Sequence, residues 1–171
     1  MPPPLLAHHF LAGCTLPDDL QRTLLHAAEG LRRGAGEPKA SRPLEGRHLA
    51  IARAPARDGA PDPVEKAAQR LGVRVSHISP QALDAADDPR SLARLLGSLY
   101  DAIDCEHLSA ERARQLQGLA GIPVFDGLAA AGRPLAGLAK VLAGHDAAVA
   151  PPGDLEDMAC LVQAALVETM I

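Results

Sequence analysis

The sequence predicts an α/β fold: a three-layer, about four-stranded parallel sheet with helices on both faces. Short β-rich segments alternate with helical segments across residues 48–144. Helices of about ten residues between strands imply parallel pairing, because a parallel pair needs a crossover connection. The chain has 171 residues, 47% of them apolar, which is enough to bury one core between layers. Right-handed crossovers then give a doubly wound sheet. A single domain over 1–171 is expected, with its core at about 11–144 and a C-terminal helix at about 154–171 packing back on it.

Each element has a local reason. Thr15-Leu-Pro-Asp18 has the spacing of a capping box. Leu20, Leu24, Ala27, Ala28 and Leu31 follow on one helical face, and Gly34 and Gly36 stop that helix. His48–Arg53 reads as a strand, 55–61 as a loop, and Pro63–Leu71 as a helix closed by Gly72. Val73–Ile78 is a second strand with Val73, Val75 and His77 on one face, which makes His77 a partly buried strand residue. Pro80–Pro89 reads as an acidic loop. A helix over Ser91–Leu99 and a strand over Asp101–Cys105 follow. Ser109 caps a helix that ends before Gly121, and Ile122–Phe125 is the fourth strand. Arg133–Ala143 is a helix ended by Gly144. In the last helix, capped by Asp154 with Asp157 near the positive end of its dipole, Leu155, Met158, Val162, Ala165 and Leu166 form one apolar stripe, widened by Cys160 and Leu161.

Composition excludes several function classes. Aromatics are 2% of the chain, which leaves no stacking platform for single-stranded nucleic acid. A net charge of -4 argues against a phosphate-backbone binder, so no nucleic-acid partner is expected. Three cysteines without a C-x-x-C argue against a disulfide framework or a zinc site, and His8-His9 lacks companions at ligand spacing, so no metal and no cofactor are expected. No run approaches the ~18 apolar residues of a membrane span. The expectation is a cytoplasmic protein.

The stretch Leu44–Gly72 has the strand–loop–helix order of a phosphate-binding unit. A phosphate is held there by free N–H groups at the helix start, with hydroxyls and arginines around it. Here Asp62-Pro63-x-Glu65 is a self-capped start, with carboxylates in the place an anion takes. Asp58 adds charge one turn away, and Glu106 adds more at the carboxyl edge of the sheet. Unit charges ~4–6 Å apart interact by roughly 1–4 kcal/mol between the dielectrics of water and protein surface. Two or three such repulsions remove several orders of magnitude in anion affinity. Arg53, Arg57 and Arg133 lie at or beyond strand ends, where open α/β sheets bind ligands. They either form a rebuilt anion pocket or pair with Asp58, Asp62 and Glu106. Cys105, between Asp104 and Glu106, is a poor candidate nucleophile.

The order of motifs from about Leu11 to Gly144 resembles the N-terminal, carbamoyl-phosphate half of the aspartate/ornithine carbamoyltransferase family. The carriers are Pro43-Leu44-Glu45-Gly46-Arg47-His48-Leu49-Ala50, Ala93-Arg94-Leu95-Leu96, Asp101-Ala102-Ile103, Ile122-Pro123-Val124-Phe125-Asp126-Gly127-Leu128, and Arg133-Pro134-Leu135-Ala136. Counted without a gap from Leu44, the family's S-T-R-T-R falls on Arg57-Asp58-Gly59-Ala60-Pro61. Its helix glutamate survives as Glu65, its later arginine falls on Glu106, and its H-P-x-Q falls on Arg133 and Ala136. The resemblance implies a degenerate, stand-alone carbamoyltransferase domain with no catalytic residue kept. It further implies a homo-oligomer, a trimer as first guess, or pairing with a true carbamoyltransferase. The other readings are a small anionic-ligand sensor and, less favoured, residual ornithine or aspartate transfer. A remnant ligand site would comprise Arg53, Arg57, Asp58, Gly59, Glu106 and Arg133.

Overall fold

The computed structural model describes residues 7–10, 14–34, 42–54, 62–84, 87–106, 108–130, 132–144 and 154–171. Four strands, β1 (His48–Ala52), β2 (Arg74–His77), β3 (Ala102–Cys105) and β4 (Val124–Phe125), pair in parallel in the order β2-β1-β3-β4. The helices described are α1 (Asp18–Gly34), α2 (Pro63–Arg70), α3 (Pro80–Asp84), α4 (Pro89–Leu99), α5 (Ala110–Ala120), α6 (Pro134–Gly144) and α7 (Asp154–Met170).

The two-residue period of β1 divides the core. Leu49 and Ile51 face one layer with α1, α2, α6 and α7, while Ala50 and Ala52 face the other with α3, α4 and α5. The predicted three-layer arrangement is thus the one observed. A short turn, Ala7–Phe10, lays the Phe10 ring edge-on against Phe125 of β4, at 5.7 Å between centroids.

Helix α7 is the centre of its layer rather than a cover. It packs on α1, α2 and α6, and every residue from Ala159 to Leu166 is buried. A helix enclosed on several sides needs no single apolar stripe. For that reason the stripe expected to include Leu155 is wrong at that residue, which is 75% exposed. Two ion pairs fix α7 in place. Arg70 of α2 meets Glu156, with Nη2 3.0 Å from Oε2, and Arg32 of α1 meets the buried Asp157 at 3.5 Å.

On the opposite layer α4 and α5 touch backbone to side. A Cβ on Gly97 would lie 2.4 Å from the carbonyl oxygen of Ala120. Gly97→Ala should therefore push the two helices apart and cost about 1–3 kcal/mol, read as a lower urea midpoint with an unchanged slope.

Local reasoning placed several caps correctly. Asp62 accepts from the N–H groups of Val64 at 2.8 Å and Glu65 at 3.3 Å, with Pro63 in the first turn. Ser109 accepts from Arg112 N–H at 3.2 Å, and Gly121 closes α5 at φ +70°. Other expectations are corrected. α1 starts at Asp18, the Pro17 carbonyl accepting from Gln21 N–H at 2.9 Å, so Thr15 is not its cap. Leu16 precedes a proline, which disfavours the helical region, and is buried. Within the expected acidic loop, Pro80–Asp84 is helical because this turn buries Leu83. Asp88 then caps α4, accepting from Arg90 N–H at 2.9 Å, so that the helix begins at Pro89, two residues before the expected start. His77 is exposed at the end of β2, its Nε2 3.0 Å from Glu65.

Candidate functional site

The order in which strands are added reverses between β1 and β3, and the carboxyl ends of those two parallel strands form the crevice in which sheets of this kind bind ligands. Arg53 follows β1 and Glu106 follows β3. The N-terminus of α2 points into the same place and brings Asp62. A fourth group comes from within the sheet, Asp104 of β3, which has no solvent exposure.

These four side chains form one cluster. Arg53 donates through Nη2 to Oδ2 of Asp104. Its Nε lies 3.3 Å from Oδ2 of Asp62 and 3.9 Å from Oε2 of Glu106. The second oxygen of Asp104 accepts from Leu128 N–H at 3.0 Å, in the turn after β4. That turn comes close because Gly127, at φ +69°, has no side chain. A Cβ there would meet Ala130 at 3.0 Å and Glu106 at 3.3 Å. One guanidinium thus faces three carboxylates. Desolvation pushes the Asp104 carboxyl up to about 6, against the pull of Arg53 and the Leu128 amide, and the negative charges of Asp62 and Glu106 add to the rise.

Of the residues expected from the sequence, Arg53 and Glu106 come together. Arg133 is engaged separately, its Nη2 3.1 Å from Oδ1 of the buried Asp126. Arg57, Asp58 and Gly59 lie outside the described residues, as do the side chain of His8 and all of His107. Asp104 and Asp126 were missed. Their signal was present, since each is an acid within or directly after an otherwise apolar strand.

A cleft of about 220 Å³ opens beside the cluster, lined by Ala52, Ala54, Gln81, Leu83, Cys105 and Glu106 among others. Among the described residues, its lining holds a carboxylate, an amide and a thiol, and no lysine or arginine. The Cys105 thiol donates to the Phe125 carbonyl at 3.1 Å. None of the three cysteines forms a disulfide, and burial pushes the Cys160 thiol up to about 11. No group of His, Cys, Asp and Glu suited to a metal occurs among the described residues. None of the described helices is long and apolar enough to cross a membrane.

At this crevice the N–H groups of Val64 and Glu65 are already taken by Asp62, and the nearest guanidinium is held by carboxylates. Among the described residues, three carboxylates surround one guanidinium at this crevice.

No protein-family model matches the chain. Among curated proteins, the catabolic ornithine carbamoyltransferase of Burkholderia mallei is 38% identical over 80 residues, 46% of this chain and 24% of that protein. The ornithine carbamoyltransferase of Neisseria meningitidis is 35% identical over 80 residues, 46% of this chain and 30% of that protein. Among solved structures, ornithine carbamoyltransferase from Pyrococcus furiosus superposes with a TM-score of 0.59 at 23% identity, covering 73% of this chain and 41% of that one. The anabolic ornithine carbamoyltransferase of Campylobacter jejuni gives 0.63 at 18% identity, covering 85% and 45%. The sequence matches thus span less than a third of those relatives, and the superpositions less than half of those solved chains. The superpositions establish a shared fold. The sequence matches make an 80-residue part of this chain similar to ornithine carbamoyltransferases.

Proposed function

We propose that this chain is a carbamoyltransferase-like domain without transferase activity, which acts by assembling with itself or with a catalytically complete relative. The observation that carries the reading is the cluster at the start of α2. In a phosphate site the helix N–H groups and arginines stay open to the ligand. In this chain Asp62 takes the N–H groups, and Arg53 is held between Asp62, Asp104 and Glu106. With Asp104 ionised, the four groups carry one positive and three negative charges, so an arriving dianion meets net repulsion. Among the described residues, the cleft beside them adds no cation. The superpositions span less than half of those solved chains.

The same observations weigh against an anion sensor built on Arg53 and Arg133, because both guanidinium groups already have carboxylate partners. Carbamoyl phosphate or inorganic phosphate, at about a hundred times the Kd of a good site, is expected to leave the melting temperature unchanged. A genuine binder at that excess would gain about 2.7 kcal/mol. Sedimentation velocity is expected to show a homo-oligomer, a trimer first, or a mixed species when an ornithine carbamoyltransferase is added. A monomer that joins neither kind of assembly removes the assembly half of the reading. Carbamoyl transfer to ornithine or aspartate removes the other half.

A further inference from the structure

Asp104 is bonded to two segments that flank it on opposite sides. Arg53, just past β1, lies on one side, and Leu128, in the turn after β4, lies on the other. We propose that Asp104 and Arg53 form a proton-operated latch across the carboxyl edge of the sheet, in which ionised Asp104 draws Arg53 onto β3 and protonated Asp104 releases it to Asp62 and Glu106. The geometry supplies both states. Arg53 already lies within ion-pair distance of all three carboxylates, so changing partner needs only a small rotation of its guanidinium. Three carboxylates facing one cation do not all ionise with equal ease, and the proton goes to the one least reached by water. Asp104 has no exposure, whereas the side chains of Asp62 and Glu106 keep 14% and 27%.

The neighbouring groups have partners of their own. Asp126 pairs with Arg133, in the turn that carries Leu128, and Glu65 of α2 is hydrogen-bonded to His77 of β2. Asp104 thus answers to Arg53, Asp62, Glu106 and the Leu128 N–H. Its proton is bound more tightly in the folded chain, the carboxyl rising from 3.8 to about 6. Protonation therefore favours folding, and the gain is lost as pH rises through about 6. Between the two limits the folding equilibrium shifts by up to about a hundredfold. Asp88 and Glu156, held below the ordinary carboxylate range by hydrogen bonds from Ser91 and Arg70, oppose this only in stronger acid.

The latch goes beyond the functional reading above, because it concerns the fold of this chain whether or not it binds a partner. Following the Arg53 Nε–H and Leu128 N–H resonances of the full chain from about pH 8 to about pH 4.5 tests it. Both are expected to move together with a midpoint of about 6. Glu106→Gln and Asp62→Asn, which each remove a like charge, should lower that midpoint, and the asparagine keeps the α2 cap. Two signals with separate midpoints, a midpoint near the ordinary aspartate value of about 4, or one that both variants leave in place overturns the latch.

Discussion

Arg53→Met is expected to destabilise the fold by about 3–5 kcal/mol at neutral pH, the cost of stranding a buried charge by removing its partner. Asp104 has no exposure, and its other protein bond is a single N–H from Leu128. Asp62 and Glu106 would also lose their shared counter-ion, and α2 would keep its cap with less to anchor it. Urea denaturation with a linear extrapolation reads the loss. The loss should shrink in acid, because a protonated Asp104 needs no counter-ion. The double variant Arg53→Met with Asp104→Asn should regain a large part of it, since replacing both members of a buried pair is far milder than removing one. Equal costs at acid and neutral pH would mean that Arg53 acts by packing alone.

Leu161→Ala should cost about 2–5 kcal/mol, the range for deleting buried methyl groups where surrounding helices relax only in part. Leu161 is fully buried where α7 meets its neighbours. Its control lies on the same helix. Leu155 is 75% exposed, and Leu155→Ala should stay within about 0.5 kcal/mol of wild type. Similar losses at both sites would mean that helix propensity rather than enclosure sets the contribution of α7.

What the sequence made legible is what depends on near neighbours. The alternation of strands and helices, the Asp62 and Ser109 caps and the Gly121 stop each rest on a few consecutive residues, and each is present. The errors come from tertiary contacts. Leu83 folds an acidic stretch into a helix by being buried, and α7 loses its one-sided character because helices surround it. In the candidate site, the pairing of Arg53 with Asp62 and Glu106 was among the readings the residues allowed. Asp104, fifty-one positions from Arg53, was not. Nothing local in Ala-Ile-Asp-Cys says that its acid will receive a guanidinium from the neighbouring strand. Asp126 was overlooked for a related reason, because a motif read as strand and turn hides an acid whose partner stands in the next turn.

The enclosed position of α7 also has a consequence in time. Arg32 and Asp157 are 125 positions apart, so the layer holding Leu49, Ile51 and Phe125 cannot close until α7 has been synthesised. On the ribosome, at about 5–20 residues per second, one face of the sheet would wait several seconds for its last helix. Contacts this distant slow folding as well, because loop closure comes before any gain from burial. Until α7 arrives, that apolar face is open to chaperones, to aggregation, or to a helix from a partner chain.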